Sequence, residues 1–264
     1  HGAPGISNSG LTLIGQQSPA HYYGRRLDPN RPVETSKAGQ ETGTIAHCAI
    51  LEPDEFDQRY TVSAEKMNRN TKAWKEFASQ VEADGKAPIQ PDQYDMAWRM
   101  HDSVRSIEDL RSALEQQGLA EASAFWVDEA TGELCKCRPD YAAEFPAGDL
   151  LLDVKTYSSA APGEFARQIG RKKYHSQAAF YQDGWAQVTG TKILGFLFIA
   201  VEIEYPHVAS AIMLDEESVE SGRIFYRRAL DTFAECRKNN IWPGYGSGVE
   251  VVSLPHYFME KTAI

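Results

Sequence analysis

The sequence predicts an α/β fold in which a central mixed sheet is flanked by helices. Three observations predict it. Leu150–Val154 is apolar apart from Asp153, the pattern of a strand covered on both faces, and Leu194–Val201, broken only by Gly195, is a second such run. Between them Gly163–Val188 carries helical periodicity, and Glu216–Asn239 carries it again beyond the strands. Helices are therefore available to cover the sheet.

Taken in order, Ser7 is placed to cap a short helix reaching about Gly15, and Pro19–Pro32 reads as a polar, basic connector. Thr42–Leu51 reads as a helix ending before Pro53. Lys72–Ala83 and Asp92–Gln117 follow as helices, the second because Met96, Met100, Val104, Ile107 and Leu114 recur at helical spacing. From Ala122 the period shortens. Ala124–Val127 and Leu134–Arg138 read as strands around a turn over Asp128–Gly132, where Thr131-Gly132 suits a hairpin. Leu194–Ile203 and Val208–Leu214 are strands flanking a turn near Pro206, and the glycine- and proline-rich tail from Trp242 reads as irregular coil. The expected organisation is a single domain spanning the chain, with helices over residues 1–118, a sheet core with its helix over 119–214, and a C-terminal helix and tail over 215–264.

A hydrophobic content of 42% over 264 residues is enough for a sizeable core. The longest apolar run is far too short to cross a bilayer, and no secretory signal or anchor is visible. The chain opens at His1 rather than methionine, as a piece of something longer would. Cys48, Cys135, Cys137 and Cys236 are too few and too scattered for a disulfide framework, which points to the cytoplasm. Cys135 and Cys137 share one strand face, so they lack the two-residue gap of a zinc knuckle or redox motif. All four read as packing residues.

Chemistry concentrates in Arg138–Thr156, RPDYAAEFPAGDLLLDVKT. Side chains on a strand repeat every second residue, so Asp153 and Lys155 project from one face roughly 7 Å apart. Asp140, at the end of the preceding strand-like run, can join them. Two neighbouring carboxylates stay ionised in an apolar sheet only with a cation between them, and Mg²⁺ is a hard ion suited to oxygen ligands. This is the layout of a metal-dependent phosphodiesterase. Downstream, Gln177 and Tyr181 lie four apart on one helical face, and Tyr174 extends the stripe. The formal charge of −10 is unhelpful for nucleic-acid binding, yet Arg167, Arg171, Lys172 and Lys173, with Tyr174 directly after them, form an acid-free stretch able to receive a phosphate backbone. Taken alone, that stretch reads better as a solvated helix face.

Several ordered blocks carry a resemblance: PGISNS at Pro4–Ser9, GTIAHCAILEPDEF at Gly43–Phe56, CKCRPD at Cys135–Asp140 and YHSQAAFYQDG at Tyr174–Gly184. Over nearly the whole chain they resemble the PD-(D/E)XK nuclease superfamily, and within its RecB-like branch the RecE group, the C-terminal nuclease of exodeoxyribonuclease VIII. The resemblance implies a restriction-endonuclease-like core. It implies that Asp140 and Asp153 are the main metal ligands, joined by His47 and the Val154 carbonyl, that Lys155 is the catalytic lysine, and that Glu121, Gln177 and Tyr181 complete the site. No position departs from the pattern.

The resemblance further implies an ATP-independent, Mg²⁺-dependent exonuclease, with Mn²⁺ as a substitute ion. It would digest linear duplex DNA from 5′ ends, leaving 3′ tails for a RecT-like single-strand annealing protein in prophage recombination, and would act as a homotetrameric ring. A structure- or sequence-selective endonuclease on the same core, or a catalytically silent DNA-binding module, remain the alternatives. Lys155 can serve as a base or as an electrostatic stabiliser, and the sequence does not choose.

Overall fold

The computed structural model describes residues 3–32, 38–246 and 248–259. α1 (Asn8–Gln16) starts after Ser7, as expected, but the Ser7 side chain does not cap it and lies 3.0 Å from Ser9 Oγ instead, whereas α2 (Pro19–Tyr22) is capped by the Ser18 side chain. A π-helical turn, Tyr23–Leu27, follows directly. The first half of the expected connector is therefore helical, because Ser18-Pro19 is a helix start and Tyr22 is buried against Phe233 and Trp242.

α3 (Ala38–Leu51) and α4 (Phe56–Arg59) lead to β1 (Tyr60–Val62), which pairs in parallel with β2 (Ala87–Ile89) across α5 (Lys72–Ala83). Neither short strand is anticipated from the sequence. The long helix expected over Asp92–Gln117 is two, α6 (Pro91–Arg105) and α7 (Glu108–Glu115), broken at Ile107, whose backbone is extended. The break lets Met100 and Val104 of one helix and Leu110 and Leu114 of the other reach the same apolar cluster.

The remaining elements are β3 (Gly118–Ala120), β4 (Ala124–Val127), β5 (Leu134–Cys137), β6 (Tyr141–Phe145), β7 (Gly148–Tyr157), α8 (Pro162–Lys172), α9 (Tyr174–Thr189), β8 (Ile193–Glu202), β9 (Ala209–Met213) and α10 (Glu216–Asn239). Gly163–Val188, expected as one helix, is likewise split. Lys173 adopts a left-handed conformation, φ 58°, and turns the chain so that Phe165 and Ile169 on α8 and Ala178 and Phe180 on α9 enter one core.

The main sheet has the order β3-β6-β7-β8-β9 and is mixed, since only β7 and β8 run parallel. Strand alternation sends β7 and β8 side chains to two cores. Leu151, Phe196, Phe198 and Ala200 meet the layer that includes α1, α8, α9 and α10, while Leu152, Val154, Leu197, Ile199 and Val201 meet α3, α6 and α7. The expected α/β layering, with helices on both faces, is what the chain adopts.

The hairpin β4–β5 forms, but apart from the main sheet. It lies over α9, with the Trp126 ring 4.9 Å from that of Phe180 and seated on Gly184, where an added Cβ would come within 2.2 Å of Trp126. The strands that do join the sheet here are β3 and β6. Ala142 and Ala143 of β6 are buried but too small to announce a strand in the sequence. All four cysteines are free and buried, and burial pushes the thiols of Cys135 and Cys137 up to about 12, which suits packing residues. The described portion of the tail is coil except for a 3₁₀ turn at His256–Phe258, and Trp242 anchors its start on Tyr22 and Phe233. Ser247 and 260–264 lie outside the described residues.

Candidate active site

A gap in strand pairing builds the site. β6 and β7 pair from Phe145↔Gly148 to Tyr141↔Leu152, and β3 pairs with β6 up to Ala120↔Tyr141. One residue further along each register, Asp140 stands opposite Asp153, and the Glu121 amide still reaches the Asp140 carbonyl at 3.0 Å. Beyond that point β6 no longer covers β7. The Val154 amide and carbonyl are left for side chains, and two take them: Asp140 Oδ2 accepts from the Val154 amide at 2.7 Å, and His47 Nε2 lies 3.0 Å from the Val154 carbonyl. His47 comes from α3, and its Nδ1 is 3.5 Å from Asp140 Oδ2.

Asp153 and Lys155 share the face turned toward α9, as strand alternation requires. Lys155 Nζ forms an ion pair with Asp153 Oδ2, while Gln177 on α9 donates to Asp153 Oδ1 at 2.5 Å. Asp153 is buried and Lys155 keeps 21% of its side-chain exposure, enough to meet a group arriving at the opening. Tyr181, one turn beyond Gln177, packs edge-on against Phe196, and its hydroxyl meets the Arg138 backbone. Burial raises its pKa, so it remains a neutral phenol. Glu121, held at φ 52° after β3, pairs with Arg138 at 2.8 Å. The sequence places Glu121 before the first core strand; it follows one instead, because β3 is itself a strand of the sheet.

Burial and the neighbouring Asp153 charge push the Asp140 carboxyl up to about 7, with His47 and Lys155 offsetting some of the effect. For Lys155 burial favours the neutral amine, but the Asp153 and Asp140 carboxylates outweigh it and raise its pKa. The ammonium is therefore charged. Two acids opposed in a buried site with too little positive charge are what a divalent cation relieves, and the donors fit one. His47, Glu121 and Asp140 each offer a ligand atom, all within 4.8 Å of one another. This trio differs from the expected His47, Asp140, Asp153 and Val154. Asp153 is turned to Gln177 and Lys155, and the Val154 carbonyl faces His47.

The basic stretch is not turned to solvent as one patch. Arg167, Arg171 and Lys172 are exposed on α8, but Arg167 is paired with Glu164 one turn earlier. Lys173 lies over the Phe225 ring at 5.4 Å. Tyr174 is half-buried beneath Lys155, not turned outward with the cations. Two polar residues that sequence reasoning passed over also support the site. Arg138 holds Glu121, and Asn8 at the start of α1 accepts from Ser176 at 2.9 Å, tying the N-terminal segment to the residue beside Gln177. Both sit within the blocks that carry the resemblance, but their pairings span distances no local pattern records.

Comparison with known proteins agrees with this architecture. No curated protein matches the chain. Among solved structures, a putative exonuclease from Eubacterium rectale superposes with a TM-score of 0.61 over 95% of this chain and 90% of its own, at 15% identity, which is a likeness of fold. A family model described as a PDDEXK-like domain of unknown function (DUF3799) matches residues 7–255. With its acids and lysine where β7 runs on past the end of β6, and with helices on both faces, the chain belongs to this PDDEXK-like family.

Proposed function

We propose that the protein is a metal-dependent nuclease that degrades linear double-stranded DNA from 5′ ends, leaving 3′ single-stranded tails for a single-strand annealing partner of the RecT type. The observation that carries the reading is the opposition of Asp140 and Asp153 at the uncovered edge of β7, with Lys155 on the same face as Asp153. Membership in a PDDEXK-like family and the fold shared with an exonuclease from Eubacterium rectale, itself named as putative, support it.

In this reading His47, Glu121 and Asp140 would hold a divalent ion, Mg²⁺ or Mn²⁺, with Asp153 and the Val154 carbonyl as the further ligands that the family pattern implies. When bound, such an ion supplies Lewis-acid stabilisation of charge on the phosphate and acidifies water. Lys155 adds a fixed positive charge beside the reacting phosphate, a group aligned before reaction and therefore free of reorganisation cost. Gln177 sets the orientation of the Asp153 carboxylate. Arg171 and Lys172, exposed on the helix after β7, receive the phosphate backbone, with Arg167 and Lys173 beside them. A homotetrameric ring would let an acidic exterior coexist with weak cationic contacts inside, because encirclement limits escape.

End-labelled linear duplex, carrying label at either the 5′ or the 3′ terminus, tests the proposal with and without Mg²⁺ and chelator. Early release of 5′ label, dependence on the ion and survival of covalently closed circles are expected. Cleavage of closed circles would replace the exonuclease with an endonuclease. Absence of cleavage with Mg²⁺ or Mn²⁺ would remove the nuclease reading.

A further inference from the structure

We propose that Tyr174 is a positioning residue for Lys155, its aromatic face holding the ammonium in register with Asp153. The Lys155 Nζ lies 4.9 Å from the centroid of the Tyr174 ring, within the range of an attractive cation–π contact. The ring is itself held from behind. Phe165 and Phe198 stand 6.4 and 6.0 Å away, centroid to centroid, so Tyr174 is wedged into the core layer of α8, α9 and β8. Its place as the first residue of α9, directly after the left-handed Lys173, aims the ring back under the end of β7.

A lysine on a four-carbon stem has much rotamer freedom to lose, and holding it costs entropy. The ion pair with Asp153 is one restraint, but Asp153 is shared: one oxygen already accepts from Gln177. Anything else that draws on Asp153 weakens its hold on the ammonium. The ring face competes for no carboxylate oxygen, so it keeps Lys155 in place when Asp153 is engaged elsewhere. Tyr174 thus acts through Lys155, without reaching the reacting atoms.

The consequence for turnover rests on the nuclease reading, so the test has one arm that does not. In the first arm, Tyr174 is replaced by phenylalanine and then by mono-, di- and trifluorinated phenylalanine, which weakens the ring's negative face while nearly preserving shape. Stepwise loss of kcat, reaching about tenfold, with KM and Tm constant across the series is expected. A flat kcat series would overturn the positioning role, since a purely structural ring has no reason to respond to fluorine. In the second arm, the ε-methylene NMR signals of Lys155 are followed in metal-free protein, assigned by their loss in Lys155→Arg. Ring-current displacement in the wild type, retained in Tyr174→Phe and abolished in Tyr174→Leu, is expected, and an undisplaced wild-type signal would overturn the contact itself. A protein that cleaves no DNA would sink the nuclease reading alone, and the spectroscopic arm would still decide whether Tyr174 holds Lys155.

Discussion

Asp140 closes the open edge of β7 by accepting the Val154 amide at 2.7 Å, and this places its carboxyl beside that of Asp153. The arrangement has a pH signature. Burial first, then the Asp153 charge, raises the folded-state pKa to about 7. Unfolded, an aspartate titrates near 3.9. The folded protein therefore holds more protons across this window, and the carboxyl contributes stability that is complete below about pH 4 and lost as pH rises through about 7. In chelator, Asp140→Asn should melt above the wild type at pH 8, by on the order of a few degrees, with the gap closing toward pH 4. Calorimetry across that range checks it; an unchanged gap would show that Asp140 is not the titrating group.

Lys155→Ala should still bind duplex DNA while losing on the order of 10²-fold or more in turnover, the usual scale for a group acting at the reacting atoms. Single-turnover kinetics alongside a binding titration separate the two effects. Near-normal turnover would take Lys155 out of the mechanism.

Gln177 reaches Asp153 from the helix layer, so its loss should act on the carboxylate without removing it. Gln177→Leu is expected to weaken binding of Mn²⁺ by about 10- to 100-fold, the range for residues that orient metal ligands. Isothermal titration gives the number. Affinity equal to the wild type would make Gln177 a packing residue.

Exposed cations on α8 should differ in value. Arg171→Ala and Lys172→Ala are each expected to lower the salt slope of DNA binding by about one, whereas Arg167→Ala, which removes a charge already paired with Glu164, should lower it less. Fluorescence anisotropy at several salt concentrations in chelator measures each slope. Three equal slopes would contradict the ion pair as a restraint on Arg167.

The approach of α10 to α9 depends on one glycine. A Cβ at Gly222 would lie 2.1 Å from the His175 carbonyl oxygen, a backbone atom that cannot swing aside. Gly222→Ala should cost about 1–3 kcal/mol, read as a fall in Tm. Because His175 lies two residues before Gln177, DNA cleavage should fall as well. A variant as stable as the wild type would mean that the two helices part without cost.

Much of this molecule was readable from local pattern. Strand alternation alone put Asp153 and Lys155 on one face, and helical spacing alone put Gln177 and Tyr181 on one stripe, because each relationship is set by the period of a single element. The apolar runs of β7 and β8 announced a sheet covered on both sides. Breaks at Ile107 and Lys173 were not readable, since nothing local distinguishes one long amphipathic helix from two that turn to reach the same core.

Tertiary pairing decided the rest. That Asp140 stands opposite Asp153 follows from the β6–β7 register, and that Glu121 joins them follows from β3, a strand three residues long. That His47 meets the Val154 carbonyl follows from where α3 crosses the sheet. The sequence by itself determined which side chains could act and which shared an element. Only the tertiary structure decided which of them meet, because strand register and helix approach are summed over many distant contacts, some of them made by residues such as Ala142 and Ala143 that carry no signal of their own.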